Sequence, residues 1–258
     1  DGILVVNTDI SNTVLVGAWV YNANVNAASA LNYGAMDNFD HLNEDRGLFM
    51  LTAKNNSIEN LTLTGSWYYG NDYATNTDDA LNILWADAQY NMDMFNIGLQ
   101  GGTVMHDQID ETEAFGAKIG AKLGMFNTEI DYSTVNDSTF GVFNVGGTSS
   151  VLYTDMIQAS SMNSYWAVFM DGQVYNDNDT FVIRADADVL GGNLGAAYGW
   201  ASYDNELGDV SELDVTYSTK VFGNTSLEAS YSFMDADGVS DMGMDANNMV
   251  RFVARYNF

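Results

Sequence analysis

The amino-acid sequence predicts an all-β chain, a transmembrane antiparallel up-and-down β-barrel. Three observations carry that prediction. Apolar and polar residues alternate with period two through about thirteen segments of roughly ten residues, the length that spans an outer membrane when tilted. Connections alternate between turns of a few residues and longer acidic or Asn-rich loops, an asymmetry proper to such barrels. Aromatic residues gather at segment ends, in Trp67-Tyr68-Tyr69, Tyr198-Gly199-Trp200, Tyr231-Ser232-Phe233 and Tyr256-Asn257-Phe258, which suits interfacial girdles. A soluble β-sandwich has strands of about five or six residues and no such asymmetry.

Composition narrows the chemistry. The 258 residues include no Cys, which excludes disulfide frameworks, thiolate zinc sites and cysteine nucleophiles. Two histidines, His41 and His106, leave little for imidazole chemistry. No apolar run reaches the roughly 18 residues of a membrane-spanning helix, but alternation hides a barrel's apolar band from such a test. The net charge of −27, from 35 acids against 8 Lys and Arg, argues against nucleic acid as a partner. It reads either as a solubilising surface or as a negative field that enriches cations at a channel mouth.

Taken in order, residues 2–7 form a strand that turns through 8–12 into 14–24, with Leu15, Gly17, Trp19 and Tyr21 on one face. A polar stretch, 25–46, follows. Residues 48–54 and 61–69 form a hairpin with Phe49, Leu51, Ala53, Leu61, Leu63, Gly65, Trp67 and Tyr69 outward, and Lys54, Thr62, Thr64 and Ser66 opposite. The unit repeats at 80–91 and 95–103, after which a loop holds His106. Segment 115–123 sets Lys118 and Lys122 against Ala117, Ile119 and Ala121; 126–133 sets Glu129 and Asp131 against Ile130 and Tyr132. In 181–189, Arg184, Asp186 and Asp188 share one face, and Ile183, Ala185, Ala187 and Val189 the other. Gly191-Gly192-Asn193 is a tight turn into 194–203; it lacks the Lys-Ser/Thr of a phosphate loop. Segments 212–221 and 226–233 form a further hairpin. The closing strand, 249–258, carries Val250, Phe252, Ala254, Tyr256 and Phe258 on one side and Arg251, Val253, Arg255 and Asn257 on the other.

The whole chain, 1–258, reads as one barrel domain. Residues 136–179 are expected to be a long external connection, within which 165–169 is strand-like and fits a loop hairpin or a fold into the pore. With Phe258 on the periplasmic side, the parity of strands places residue 1 at an external end, so several N-terminal strands are expected to precede it. The chain opens on a strand-like stretch, Asp1-Gly2-Ile3-Leu4-Val5-Val6, with no secretory leader in view.

The hairpin Glu212-Leu213-Asp214-Val215-Thr216-Tyr217-Ser218-Thr219-Lys220 with Ser226-Leu227-Glu228-Ala229-Ser230-Tyr231-Ser232-Phe233 resembles the major outer-membrane porin family of Campylobacter-type bacteria. So do the terminal Arg255-Tyr256-Asn257-Phe258 and the stretches at 5–20 and 55–63. The resemblance implies an eighteen-stranded, homotrimeric, cation-preferring porin in the outer membrane, of which this chain would supply the strands from roughly the sixth onward. It also implies a constriction loop lying mostly before Asp1.

A charge on the lipid face at mid-depth costs about 2–4 kcal/mol, so strand charges are expected to face a lumen. The pore-lining candidates are therefore Lys54, Asp87, Lys118, Lys122, Glu129, Asp131, Arg184, Asp186, Asp188, Asp214, Lys220, Glu228, Arg251 and Arg255. Opposed bases and acids would set a transverse field that selects solutes, or simply neutralise one another as wall pairs. Asp235, Asp237 and Asp241 are spaced like part of a calcium loop, but Ala246 stands where such a loop has its bidentate Glu. The acidic stretch 37–45 could hold divalent ions bridging lipopolysaccharide. His106 beside Asp107 is the candidate general base of a hydrolase at the outer rim, and the long loops suit an adhesin or receptor. The sequence favours a diffusion channel, with no cofactor and no chemical step.

Overall fold

The computed structural model describes residues 1–23, 40–41, 43, 46–72, 79–107, 109–136, 151–157, 177–203, 209–221, 223–236 and 247–256. The strands are β1 (Gly2–Asn7), β2 (Thr13–Val20), β3 (Asn22–Ala23), β4 (Asp40–His41), β5 (Leu48–Asn55), β6 (Leu61–Gly70), β7 (Leu81–Asn91) and β8 (Phe95–His106). They continue with β9 (Ile109–Leu123), β10 (Phe126–Asn136), β11 (Asn178–Val189), β12 (Gly192–Tyr203), β13 (Asp209–Val221), β14 (Thr225–Ala236) and β15 (Asn247–Tyr256). Thirteen of them form one antiparallel up-and-down sheet in sequence order, and β3 pairs with β4 beside it. No helix occurs among the described residues. The all-β, up-and-down architecture expected from the alternation is the architecture observed.

Local chemistry explains the turns. β1 and β2 are joined by a turn closed by Thr13 N–H donating to Ile10 O at 3.0 Å, with Asn12 at φ 55°. β5 and β6 repeat this, Leu61 N–H donating to Ile58 O at 3.1 Å with Asn60 at φ 64°. Asn tolerates the left-handed region better than other side chains. Between β9 and β10 that conformation falls to Gly124, φ 66°. These turns, with those after β7, β11 and β13, lie at one end of the sheet. The opposite end carries the longer connections.

Several strand ends run beyond the sequence reading, the largest extension being at β9. His106 belongs to β8 rather than to a loop, and β9 begins at Ile109, so this pair forms a long hairpin. Glu111 and Glu113 hid it, because they alternate with Thr112 and Ala114 but are exposed where an apolar residue was sought. Within the 136–179 connection, residues 151–157 lie against the charged face of the sheet, held to Ser133, Arg184 and Asp214. There Leu152 joins Ala114 and Val135 in a buried apolar cluster with Trp85 packed on it. The strand-like 165–169 lies outside the described residues.

Candidate functional site: the charged face and the inward segment

Register decides which side chains share a face, because successive residues of a strand point to opposite sides. Across the ladders, Lys54 stands opposite Thr64, Thr64 opposite Asp87, and Asp87 opposite Gln100. One row nearer the turns, Gly98 faces Lys118, Lys118 faces Asp131, and Asp131 faces Val182. The next row runs from Glu129 to Arg184, Ala197, Asp214 and Ser232. Below it run Lys122, Asn127, Asp186, Gly195, Thr216, Ser230 and Arg251. Asp188 aligns through Asn193 and Ser218 with Glu228, and Lys220 through Ser226 with Arg255. All fourteen charged positions singled out in the sequence thus fall on one face.

The other face is apolar. Phe49, Leu51, Leu63, Trp67, Leu84, Leu99, Phe115, Ile119, Ile130, Phe181, Ile183, Leu194, Leu213, Leu227 and Phe252 all lie there and are exposed. Its rim at the long-connection end is aromatic: Trp19 stacks near Tyr21 at 5.5 Å and Trp67 near Tyr69 at 5.8 Å, ring centre to ring centre. Tyr132 donates to Asp179 at 2.6 Å and Tyr231 to Asn248 at 2.6 Å, so polar tips end the apolar band.

Among the described residues, 151–157 lie over the charged face. Alternate side chains Leu152, Thr154 and Met156 are buried, so this segment presents its own period-two face to the wall. Arg184 is its main attachment. Its Nε donates to Asp131 at 2.7 Å, and its Nη2 donates to the carbonyls of Tyr153 at 2.9 Å and Asp155 at 2.6 Å. Asp131 is fully buried, so the guanidinium both neutralises it and fixes the segment. Asp214 accepts the Ile157 N–H at 2.9 Å, and the Ser133 and Thr154 hydroxyls meet at 2.6 Å. Gln100, with its amide oriented by its neighbours, donates to Val151 O at 3.1 Å and accepts from Tyr153 N–H at 2.8 Å.

Tyr153 closes a second cluster. Its hydroxyl donates to Asp87, and Lys118 Nζ stands 4.7 Å above its ring centre. Burial, and then the Asp87 carboxylate, push the Tyr153 phenol above its ordinary range. Lys118 also lies 3.5 Å from Glu129. Nearer the turns, Asp186 accepts from Asn127 at 2.9 Å and Asn193 at 2.8 Å, and Arg251 pairs with Glu228 at 3.1 Å on an exposed edge. Lys54, Lys122, Lys220 and Arg255 have no ion-pair partner among the described residues. A cavity of about 540 Å³ opens between the segment and the wall, lined by Asp155, Ile157, Arg184, Asp186, Asp214 and Arg251 among others.

The remaining candidates lie elsewhere. His106 is 9% exposed at the far end of β8, beside the exposed Asp107. Asp235 is exposed near the end of β14, while Asp237 and Asp241 lie outside the described residues. No group of three or more metal-ligating side chains occurs among the described residues. Tyr153, Gln100, Ser133 and Thr154 were missed in the sequence. The spacing of Leu152, Thr154 and Met156 was the available signal, but the segment's partners are distant in sequence, 66 residues in the case of Tyr153 and Asp87.

No protein-family model and no curated protein matches the chain. Solved structures do. OccK3 (OpdO) of Pseudomonas aeruginosa superposes with a TM-score of 0.72 at 14% identity, over 99% of this chain and 68% of that one. OccK7 (OpdD) of the same organism gives 0.70 at 13% identity, over 99% and 67%. OccAB3 of Acinetobacter baumannii gives 0.65 at 15% identity, over 98% and 66%. The fold is that of these barrels. The chain spans about two thirds of their length. The Campylobacter-type family is not among these likenesses.

Proposed function

We propose that the chain forms the wall and constriction of a porin in the bacterial outer membrane, passing ions and small hydrophilic solutes with a preference for cations. The observation that carries this reading is the sorting of side chains: fourteen charged residues on one face, large exposed apolar residues on the other. A soluble protein could not leave so broad an apolar face in water. In a bilayer the same face meets hydrocarbon, or neighbouring copies in a homotrimer, and the charged face lines water. Residues 151–157 narrow that path on one side, so passage is sorted by size there and by wall charge along the whole depth. Acids outnumber bases in the chain as a whole, 35 against 8, and the negative field they set up favours cations. The resemblance of the β13–β14 hairpin and the closing strand to the Campylobacter-type porins belongs to the same reading.

The test is conductance. Purified protein added to a planar bilayer in a salt gradient should produce discrete current steps and a reversal potential of the sign that cations set. A folded, inserted protein that carries no current would sink the channel reading and leave an adhesin or receptor barrel.

A further inference from the structure

We propose that two wall glycines, Gly98 and Gly199, set the width of the channel through the depth at which they seat the 151–157 segment. The inference rests on the channel reading above and adds the residues that fix its aperture. Neither glycine has a left-handed φ, so the backbone does not call for glycine at either place. The segment does.

A Cβ at Gly98 would stand 2.8 Å from the Tyr153 hydroxyl oxygen, 2.9 Å from its Cζ and 2.8 Å from Lys118 Cγ. The tyrosine ring is rigid, its hydroxyl is tied to Asp87 and its backbone carbonyl to Arg184. It cannot swing aside without giving up its bond to Asp87. At Gly199 a Cβ would overlap the sulfur of Met156 and lie 3.3 Å from Val182 Cγ2. Met156 is 6% exposed and Val182 0%, so the methyl would be added among buried side chains. Protein interiors of this density answer an added methyl by displacement. The sheet stands behind the segment and water in front, so the displacement runs into the channel. The two seats lie on β8 and β12, on either side of the Arg184 attachment on β11, and together they hold the segment flat. Gly195, on the same face, behaves differently: its Cβ would meet Thr216 Oγ1 at 2.8 Å and no atom of the segment within 4 Å.

The experiment compares wild type, G98A, G199A and G195A in planar bilayers. It reads single-channel conductance and the largest neutral polymer that enters. G98A and G199A should lose conductance and exclude smaller polymers, and G195A, whose added methyl does not touch the segment, should change both less than either. Adding Met156→Ala to G199A removes the overlapping sulfur and should restore conductance to at least the wild-type value. Conductance in G199A equal to wild type, or no recovery in the G199A/M156A pair, overturns the seating. Should G98A fail to fold, the G199A series decides the matter. A wild-type protein that inserts without conducting overturns the channel reading itself, a separate outcome.

Discussion

Arg184 shows how one side chain can be spent. Its charge lies on the face read as the lumen, which suggests a role in selecting ions. Its donors are nonetheless taken by the buried Asp131 carboxylate and by two carbonyls of the inward segment. Arg184→Ala should therefore leave Asp131 buried and unpaired, at a cost of roughly 3 kcal/mol. It should also loosen residues 151–157, seen as noisier and larger single-channel currents with little change in reversal potential. A shifted reversal potential at unchanged current noise would return Arg184 to the ion path. Arg255, exposed and without an ion-pair partner among the described residues, is the base whose neutralisation should raise cation preference. Tyr153 adds a pH statement. Its phenol is raised by burial and by Asp87, so its hydrogen bond is fully present below the unfolded value of about 10 and is lost only as pH rises beyond that. Currents should not change between about pH 7 and 9 on its account; a step there, absent in Tyr153→Phe, would contradict this.

At the scale of the strand, the apolar side must stay apolar and the polar side is permissive. Lys in place of Ile183, which is 48% exposed on the apolar face, should cost about 2–4 kcal/mol in a bilayer. Lys in place of Thr216, on the charged face, should cost far less. Unfolding by urea from lipid vesicles measures the difference, and equal losses would mean that the two faces do not see different solvents. This periodicity is local, which is why the sequence revealed it: Ile183, Arg184, Ala185 and Asp186 alternate within a single stretch, and the ladders then carry the sorting across the sheet. The extent of β9 was not legible, since Glu111 and Glu113 are exposed on the apolar side of their strand. The inward segment was not legible either. Leu152, Thr154 and Met156 alternate like any wall strand, but they pair with no strand. Their partners, Ala114, Ser133 and Gly199, come together only once β8 to β12 are in register.

Across the whole molecule, the net charge of −27 has a place to act. Asp186, Asp188 and Glu228 share the wall near the turns with the bases Lys122, Lys220, Arg251 and Arg255, and offset them there. Replacing these three acids with Asn, Asn and Gln should move the reversal potential toward zero and reduce its dependence on ionic strength, because screening shortens the reach of such a field. A potential unchanged by the triple substitution would place the selecting charges in the long connections instead.

Each interior strand of the main sheet pairs with its immediate predecessor and successor in that sheet, so that strand order follows the sequence. Such a wall can be lengthened by copying one hairpin into the gap beside itself, since nothing has to be rethreaded and each new edge meets a complementary one. Circumference is therefore a quantity that duplication can change in steps of two strands, while the tethered residues on the inside keep their own seats.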